Sequence, residues 1–293
     1  MLIYCVTDAK IKMPKGVPIN TLITYFGMRD KAAPLATVKA LRGWRNLFLN
    51  CGAFAADNAQ KVIDIDAYSK YCRDNAEAID VFVALDIKGK MQESIDNYHY
   101  MRQEYGLDPV PVFPVLSGNP REFEILERLL EEADYLALGN MVGQPWPKAV
   151  LKAHLDKVFA INADYKKRIH SFGYTARWAL IRYPFYSIDA ARWLQETAWW
   201  RYHLMDRSRG TLRICQLCKA PEGISDMKVS QGLRSRPKRN RLEQISRSAL
   251  AMHDYGAWLT EMWAARGIMW NDEAHRRAYP DLMAELCKEV SDG

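Results

Sequence analysis

The sequence predicts an α/β fold: a (β/α)8 TIM-type barrel over residues 1–231, with a basic, mainly helical C-terminal extension over 232–293 packed on it. Three observations predict it. Short β-rich runs alternate with amphipathic helical stretches for roughly 215 residues, the pattern that builds a parallel sheet. The runs are nearly continuously apolar, as strands become when helices cover both faces of a sheet. About eight units can be counted, enough to close a barrel. No glycine-rich fingerprint or phosphate loop follows any run, which argues against a dinucleotide-binding open sheet.

In chain order, LIYCVT (2–7) is strand-like, and NLFLN (46–50) is the next such run, leading into CGAFAADN. IDAYSKYCRDNAEAI (65–79) has helical apolar spacing, with Asp64 placed to cap it. DVFVALD (80–86) is a buried strand ending in an acid. ESIDNYHYMRQEYG (93–106) is helical and closes on Gly106. PVPVFPVL (109–116) is a strand weakened by its prolines. REFEILERLLEEA (121–133) is helical and DYLALG (134–139) a strand; PKAVLKAHLDKVFAIN (147–162) is helical and RIHSFG (168–173) a strand. TARWALIR (175–182) is a short helix, and YPFYSID (183–189) a strand. RWLQETAWWRYHLM (192–205) reads as a helix, and TLRICQL (211–217) as the last strand. Beyond it, LEQISRSALAMHDYGAWLTEMWAARG and NDEAHRRAYPDLMAELCKEV are helical and basic.

Hydrophobic residues make up 49% of the 293, enough for a buried core, which sets aside a disordered chain. No apolar run approaches the ~18 residues that span a bilayer, so no membrane partner is expected. MLIYCVTDAK lacks a basic region, a long apolar stretch and a cleavage site, so no signal peptide is expected. Six Cys in a chain of this length suit a reducing compartment better than a disulfide framework. A cytoplasmic location is the expectation. Formal charge is +6. RSRPKRNRLEQISR (234–247) gathers six basic residues against one acid, and nine Trp and fifteen Tyr add flat surfaces, a combination that suits nucleic acid. A solvated basic loop entering a helix is the plainer alternative.

In a barrel of this kind the chemistry sits at the C-terminal ends of the strands. Those ends carry Asn50 with Cys51 and Gly52, Asp86, Ser117 with Gly118, Gly139 with Asn140 and Gly143, His170 with Gly173, and Asp189. The two carboxylates could divide the work, one attacking carbon while the other recognises a base or handles a proton. Each residue alone has a plainer reading. A strand-end Asp also caps helices, a lone His is usually a hydrogen-bonded core residue, and the glycines and Asn50 can serve loop geometry.

Five segments, LNCGAF (49–54), VALDIKG (83–89), LALGNMVG (136–143), HSFG (170–173) and YPFYSIDAARW (183–193), occur in that order. Together they resemble the tRNA-guanine transglycosylase superfamily, and more closely its phage and bacterial DNA branch, which inserts 7-deazaguanine bases into DNA. The resemblance covers roughly residues 2–200, and its fold is a (β/α)8 barrel. It implies that Asp189 is the nucleophile. Its carboxylate would attack C1′ of a nucleotide, displace guanine and form a covalent glycosyl-enzyme intermediate, which a deazaguanine such as preQ0 would resolve. It implies that Asp86 reads the guanine edge, that Asn50, Cys51 and Gly52 lie against the base, and that the Gly139–Asn140–Met141–Gly143 loop contacts it with Gln144 behind. His170 would position the sugar or Asp189. The target nucleotide would be flipped from its stack, with Phe54, Tyr174, Phe185 and Tyr186 as candidates to sandwich it.

Two departures from the family are visible. Its second-strand motif usually begins with an aspartate, and here Asn50 stands there, able to bond a base but not to shuttle a proton; Asp57, His170 or water is left for that task. The tRNA enzymes carry a structural zinc on three cysteines and a histidine. Here only Cys215 and Cys218 have CxxC spacing, with His253 and Cys287 downstream, a set that could hold zinc. The chemistry itself needs no cofactor. DNA is the expected partner, with Arg234, Arg236, Lys238, Arg239 and Arg241 gripping phosphates. Exchange on tRNA, or a catalytically weakened nucleic-acid-binding barrel, are the alternatives.

Overall fold

The computed structural model describes residues 1–7, 19–30, 33–144, 146–198, 201–216 and 241–270. Eight parallel strands form one sheet: β1 (Leu2–Val6), β2 (Ile19–Thr24), β3 (Trp44–Asn50), β4 (Val81–Phe82), β5 (Val112–Pro114), β6 (Tyr135–Gly139), β7 (Arg168–Ser171) and β8 (Ser187–Ala190). Their spatial order is β4-β3-β2-β1-β8-β7-β6-β5, so sequence neighbours pair throughout and β8 pairs back onto β1. A single parallel bridge, Val83 to Val110, joins the remaining two edges. The Ala84 N–H donates to Val110 O at 2.9 Å and the Val110 N–H to Phe82 O at 2.8 Å. The sheet is therefore curled on itself in the manner of a TIM-like fold.

The helices cover its outer surface. Between the strands lie α1 (Tyr25–Met28), α2 (Leu35–Arg42), α3 (Ala53–Asn58), α4 (Ile65–Asp74), α5 (Met91–Tyr105), α6 (Glu122–Glu132), α7 (Lys148–Tyr165) and α8 (Arg177–Arg182). Asp64 caps α4 as its spacing predicts, accepting from the Ala67 N–H at 2.8 Å. Gly106 ends α5 in the left-handed conformation, φ 62°. On α6 the stripe Leu126, Leu129 and Leu130 is fully buried, and each such side chain contributes about 1.5–3 kcal/mol of transfer free energy.

The count of eight strands holds, but two of its members change. Strand β2, INTLIT, belongs to the sheet although the alternation of units passes over it. The expected last strand, TLRICQL, is not in the sheet: β10 (Thr211–Gln216) pairs antiparallel with β9 (Arg201–Asp206) as a hairpin. The helix expected across 192–205 accordingly stops early, as α9 (Arg192–Ala198). The middle of β9, Tyr202 to Met205, is buried, and Asp206 accepts from the Arg209 N–H at 3.3 Å to start the turn that returns the chain. YPFYSID also shortens. Pro184 has no N–H, the Phe185 N–H donates to Tyr183 O at 2.9 Å in a tight turn, and β8 begins only at Ser187.

A C-terminal helix, α10 (Arg241–Ala265), packs against β9, α9 and the outer side of β1. Gly256 permits that approach, because a Cβ there would lie 3.2 Å from Met1 O and 3.3 Å from Ile3 Cγ1. Trp263 is fully buried and its Nε1–H donates to Leu180 O at 3.0 Å. No helix among the described residues is long and apolar enough to cross a membrane.

Candidate active site

Strands that run parallel in a curled sheet bring all their C-terminal ends to one face. Asp189 stands at the end of β8 on that face, with only 10% of its side chain exposed. One carboxylate oxygen, Oδ1, is held twice: by the Gly173 N–H at 2.7 Å and by His170 Nε2 at 3.3 Å. The other oxygen, Oδ2, has no hydrogen-bond partner among the described residues. Gly173 makes its N–H available from a left-handed backbone, φ 63°, and a Cβ there would come within 2.9 Å of Val142 Cγ2. An ordinary residue would have both strain and a clash. His170 is fully buried; its ring lies 4.7 Å from that of Phe48 and 4.6 Å from that of Phe172. Its second nitrogen, Nδ1, contacts Ser187 Oγ at 2.5 Å.

A second cluster forms where β3 and β4 end. The Cys51 thiol donates to Asp86 Oδ1 at 2.8 Å. Burial raises the pKa of the half-buried Asp86 above the usual carboxylate value, and the bond from Cys51 opposes part of that shift. Burial, with the Asp86 charge beside it, pushes the Cys51 thiol well above its ordinary range, so it stays a protonated donor rather than a reactive thiolate. Asn50 Oδ1 accepts from the Gly52 N–H at 2.8 Å, shaping the loop, and its amide nitrogen has no hydrogen-bond partner among the described residues. Gly52 has φ 89°, and a Cβ there would press on Phe26 Cβ at 2.8 Å.

The Gly139–Gly143 loop joins the same face. Asn140 occupies the left-handed region, φ 61°. Its Nδ2 donates to Val115 O at 3.0 Å, its Oδ1 accepts from Gln144 Nε2 at 3.1 Å, and its backbone O accepts from Trp146 Nε1 at 3.3 Å. Asn140 thus ties the end of β6 to the end of β5. Met141 is buried, whereas Val142 and Gly143 are exposed. Around the rim, cations sit over aromatic rings on the segments that follow five different strands, β2, β3, β4, β6 and β7. Arg29 lies 4.0 Å from the centre of Phe26, Lys88 5.8 Å from Phe54, and Lys148 5.2 Å from Trp178. Phe54 is 65% exposed, and Tyr174 stands edge-on to Trp178 at 6.2 Å.

Several expected positions fall elsewhere. Tyr186 precedes β8 and lies at the opposite end of the sheet, between Tyr135 at 5.4 Å and Trp270 at 6.3 Å, with Arg168 over its ring. A strand rises about 3.3 Å per residue, so three residues separate Tyr186 from Asp189 by about 10 Å. Phe185 is fully buried against Phe159 on the helical side. Neither can sandwich a base beside Asp189. Asp57, a candidate proton carrier, is exposed and paired with Lys88 at 2.8 Å. His253 is half exposed on α10, 3.9 Å from Asp254. It lines a cavity of about 200 Å³ with Met1, Ile3, Asn20 and Asn46 on the outer side of β1, away from Asp189. Arg234, Arg236, Lys238, Arg239 and Cys218 lie outside the described residues, as do Cys287 and the side chains of Cys215 and Arg241. Among the described residues no group of three or more His, Cys, Asp or Glu could hold a metal ion.

Ser187 is the site residue that strand-end reasoning misses. It is two positions before Asp189 on the same inward face, the period-2 signal that could have found it. No family model, curated protein or solved structure matches the chain.

Proposed function

We propose that the chain is a DNA guanine transglycosylase that replaces guanine in DNA by a 7-deazaguanine base, preQ0 or a relative, through a covalent aspartyl-glycosyl intermediate. The observation that carries this reading is Asp189: a strand-end carboxylate with one oxygen anchored by two donors and the other without a partner among the described residues. Oδ2 attacks C1′, the C1′–N9 bond breaks, and its electron pair leaves on guanine N9. The incoming base then attacks C1′ through its own N9, and the C1′–Oδ2 bond returns its pair to Asp189. The Gly173 N–H and His170 stay on Oδ1 throughout and stabilise the carboxylate each time its charge returns.

The proton bookkeeping closes on one carboxyl. Guanine takes up a proton on leaving, and the incoming base gives one up. Asp86 accepts from the Cys51 thiol at this face and burial raises its pKa; we assign it that proton, in place of reading the guanine edge, because Asn50 cannot carry one. The cation–aromatic pairs around the rim suit a ligand that offers both phosphates and flat bases, which favours a nucleic acid over a small nucleoside.

The test is base exchange with labelled guanine on duplex DNA and on tRNA, with denaturing-gel trapping of the covalent adduct. Exchange and an adduct on DNA are expected, and both vanish in Asp189→Ala while DNA binding persists. An adduct that survives in Asp189→Ala refutes the nucleophile. Exchange confined to tRNA moves the reading to that substrate, and intact binding without exchange leaves a binding barrel.

A further inference from the structure

The interior of the sheet holds a run of polar groups that the mouth does not reach. Tyr135 opens β6, and its hydroxyl is in hydrogen-bond contact with Ser187 Oγ. Ser187 Oγ is 2.5 Å from His170 Nδ1, and His170 Nε2 is 3.3 Å from Asp189 Oδ1. Ser187 and His170 are fully buried and Tyr135 nearly so. Phe48 and Phe172 lie against the His170 ring, and Tyr4 stands edge-on at 6.2 Å. Ring rotation would break these contacts, so the imidazole is fixed in the plane that points one nitrogen at Ser187 and the other at Asp189.

The direction of the chain follows from donor counting. An ionised carboxylate only accepts, so Nε2 carries the hydrogen toward Asp189. A neutral imidazole then has Nδ1 as an acceptor, which obliges the Ser187 O–H to donate to it. The Ser187 oxygen has a lone pair left, and the Tyr135 O–H fills it. Burial pushes the Tyr135 phenol well above its ordinary range, so it remains a donor. Every group in the row donates once, toward Asp189.

We propose that Ser187 and Tyr135 are positioning residues for the reaction at Asp189: they hold His170 as its Nε2–H tautomer, which keeps Oδ1 anchored and Oδ2 the oxygen that attacks. This rests on the reading of Asp189 as the nucleophile. A carboxylate able to rotate would offer either oxygen and lose the alignment that an in-line attack on C1′ needs. The wrong tautomer would turn a lone pair of Nε2 onto the carboxylate and expel Oδ1 from its anchor. Ser187 contributes this through His170 alone and touches no substrate.

The experiment has a readout that does not depend on turnover. In the full chain labelled with 15N-histidine, long-range proton–nitrogen spectra report which ring nitrogen carries the hydrogen, and His170→Gln identifies the signal. The wild type is expected to show the Nε2–H form. Ser187→Ala is expected to lose that single form and to lower kcat for base exchange by about tenfold to a hundredfold with KM unchanged. Tyr135→Phe keeps the Ser187 hydroxyl and is expected to fall between the two, and Ser187→Thr is expected to restore the tautomer. A wild-type His170 in the Nδ1–H form overturns the proposal even if the Ser187 variant does not fold. So does a Ser187→Ala protein whose His170 spectrum and kcat match the wild type. If instead Asp189→Ala retains its adduct, the nucleophile reading fails and the tautomer result still stands by itself.

Discussion

The two ends of β8 are three residues apart and are built on opposite terms. At the Tyr186 end, rings and a guanidinium close the sheet: Tyr135 meets Tyr186 edge-on, and Arg168 lies 5.2 Å and 5.4 Å from the centres of the two. At the Asp189 end the packing is polar and open, with an unpaired carboxylate oxygen, exposed Gly143 and Gly173, and a rim of paired cations and aromatics. One end spends its side chains on contact and the other leaves groups unsatisfied. The same division holds for barrels in general, where stability concentrates at the N-terminal face and chemistry at the C-terminal one. It makes a strong claim about this chain: apart from the Tyr135 hydroxyl, which reaches Ser187, substitutions at the two ends should separate stability from exchange.

Gly173 is where the largest effect on exchange short of Asp189 itself is expected. Gly173→Ala places a Cβ at φ 63° and 2.9 Å from Val142 Cγ2, so the loop moves and its N–H leaves Asp189 Oδ1. Exchange should fall by roughly a hundredfold to a thousandfold, the scale seen when one preorganised donor is removed. Gly106→Ala is the control. Gly106 has the same left-handed backbone, φ 62°, with nothing within 4 Å of a Cβ, and lies at the end of α5. It should cost about 1 kcal/mol in thermal unfolding and leave exchange intact. Equal exchange rates in the two variants would show that the Gly173 N–H does not serve the reaction.

Asp86 sharpens the comparison through pH. Its folded-state pKa is raised by burial, so the native chain binds that proton more tightly than the unfolded chain does. The stability it contributes is present at low pH and declines as pH rises from about 4, the unfolded value, through the folded value. Asp86→Asn removes the decline while keeping an oxygen for the Cys51 thiol. The variant should gain in Tm relative to the wild type as pH is raised from 4 to 7, and should lose most of its exchange. A difference in Tm that stays flat across that range would mean that Asp86 is not shifted.

How much of this was legible in the residues differs between fold and site. The parallel, helix-covered sheet was legible because buried strands are short apolar runs with helical spacing between them. Strand β2 was not, because INTLIT carries two threonines and an asparagine and no adjoining helix pattern frames it. β9 was not, because RWLQETAWWRYHLM has helical spacing up to Ala198 and its aromatic tail satisfies either period. The strand-end polar residues were legible one by one, since topology alone places them. Tyr186 was misplaced because an aromatic beside a strand-end acid looks like a neighbour in sequence. The direction of the strand sends it to the far end. The pairing of Cys51 with Asp86, and the row from Tyr135 to Asp189, depend on register between residues 17 to 52 positions apart, which no local pattern encodes.

The smallest effect on exchange is expected at Tyr186, and it is the one that breaks the comparison if it fails. Tyr186→Leu removes a ring that Tyr135, Trp270 and Arg168 pack against. Edge-on aromatic pairs contribute about 0.5–1.5 kcal/mol beyond area, and losing the ring itself adds a cavity term, so a cost of about 2 kcal/mol in unfolding is expected. Tyr186 is on the far side of Ser187 from Asp189, so KM for DNA should not change. A base-sandwiching Tyr186 would give the reverse: a raised KM, because stacking of a flipped base would be lost, with little change in stability. The two readings therefore differ in both quantities and in opposite directions. Thermal unfolding and the KM of one variant decide whether the tyrosine three residues before Asp189 belongs to the site or to the floor beneath it.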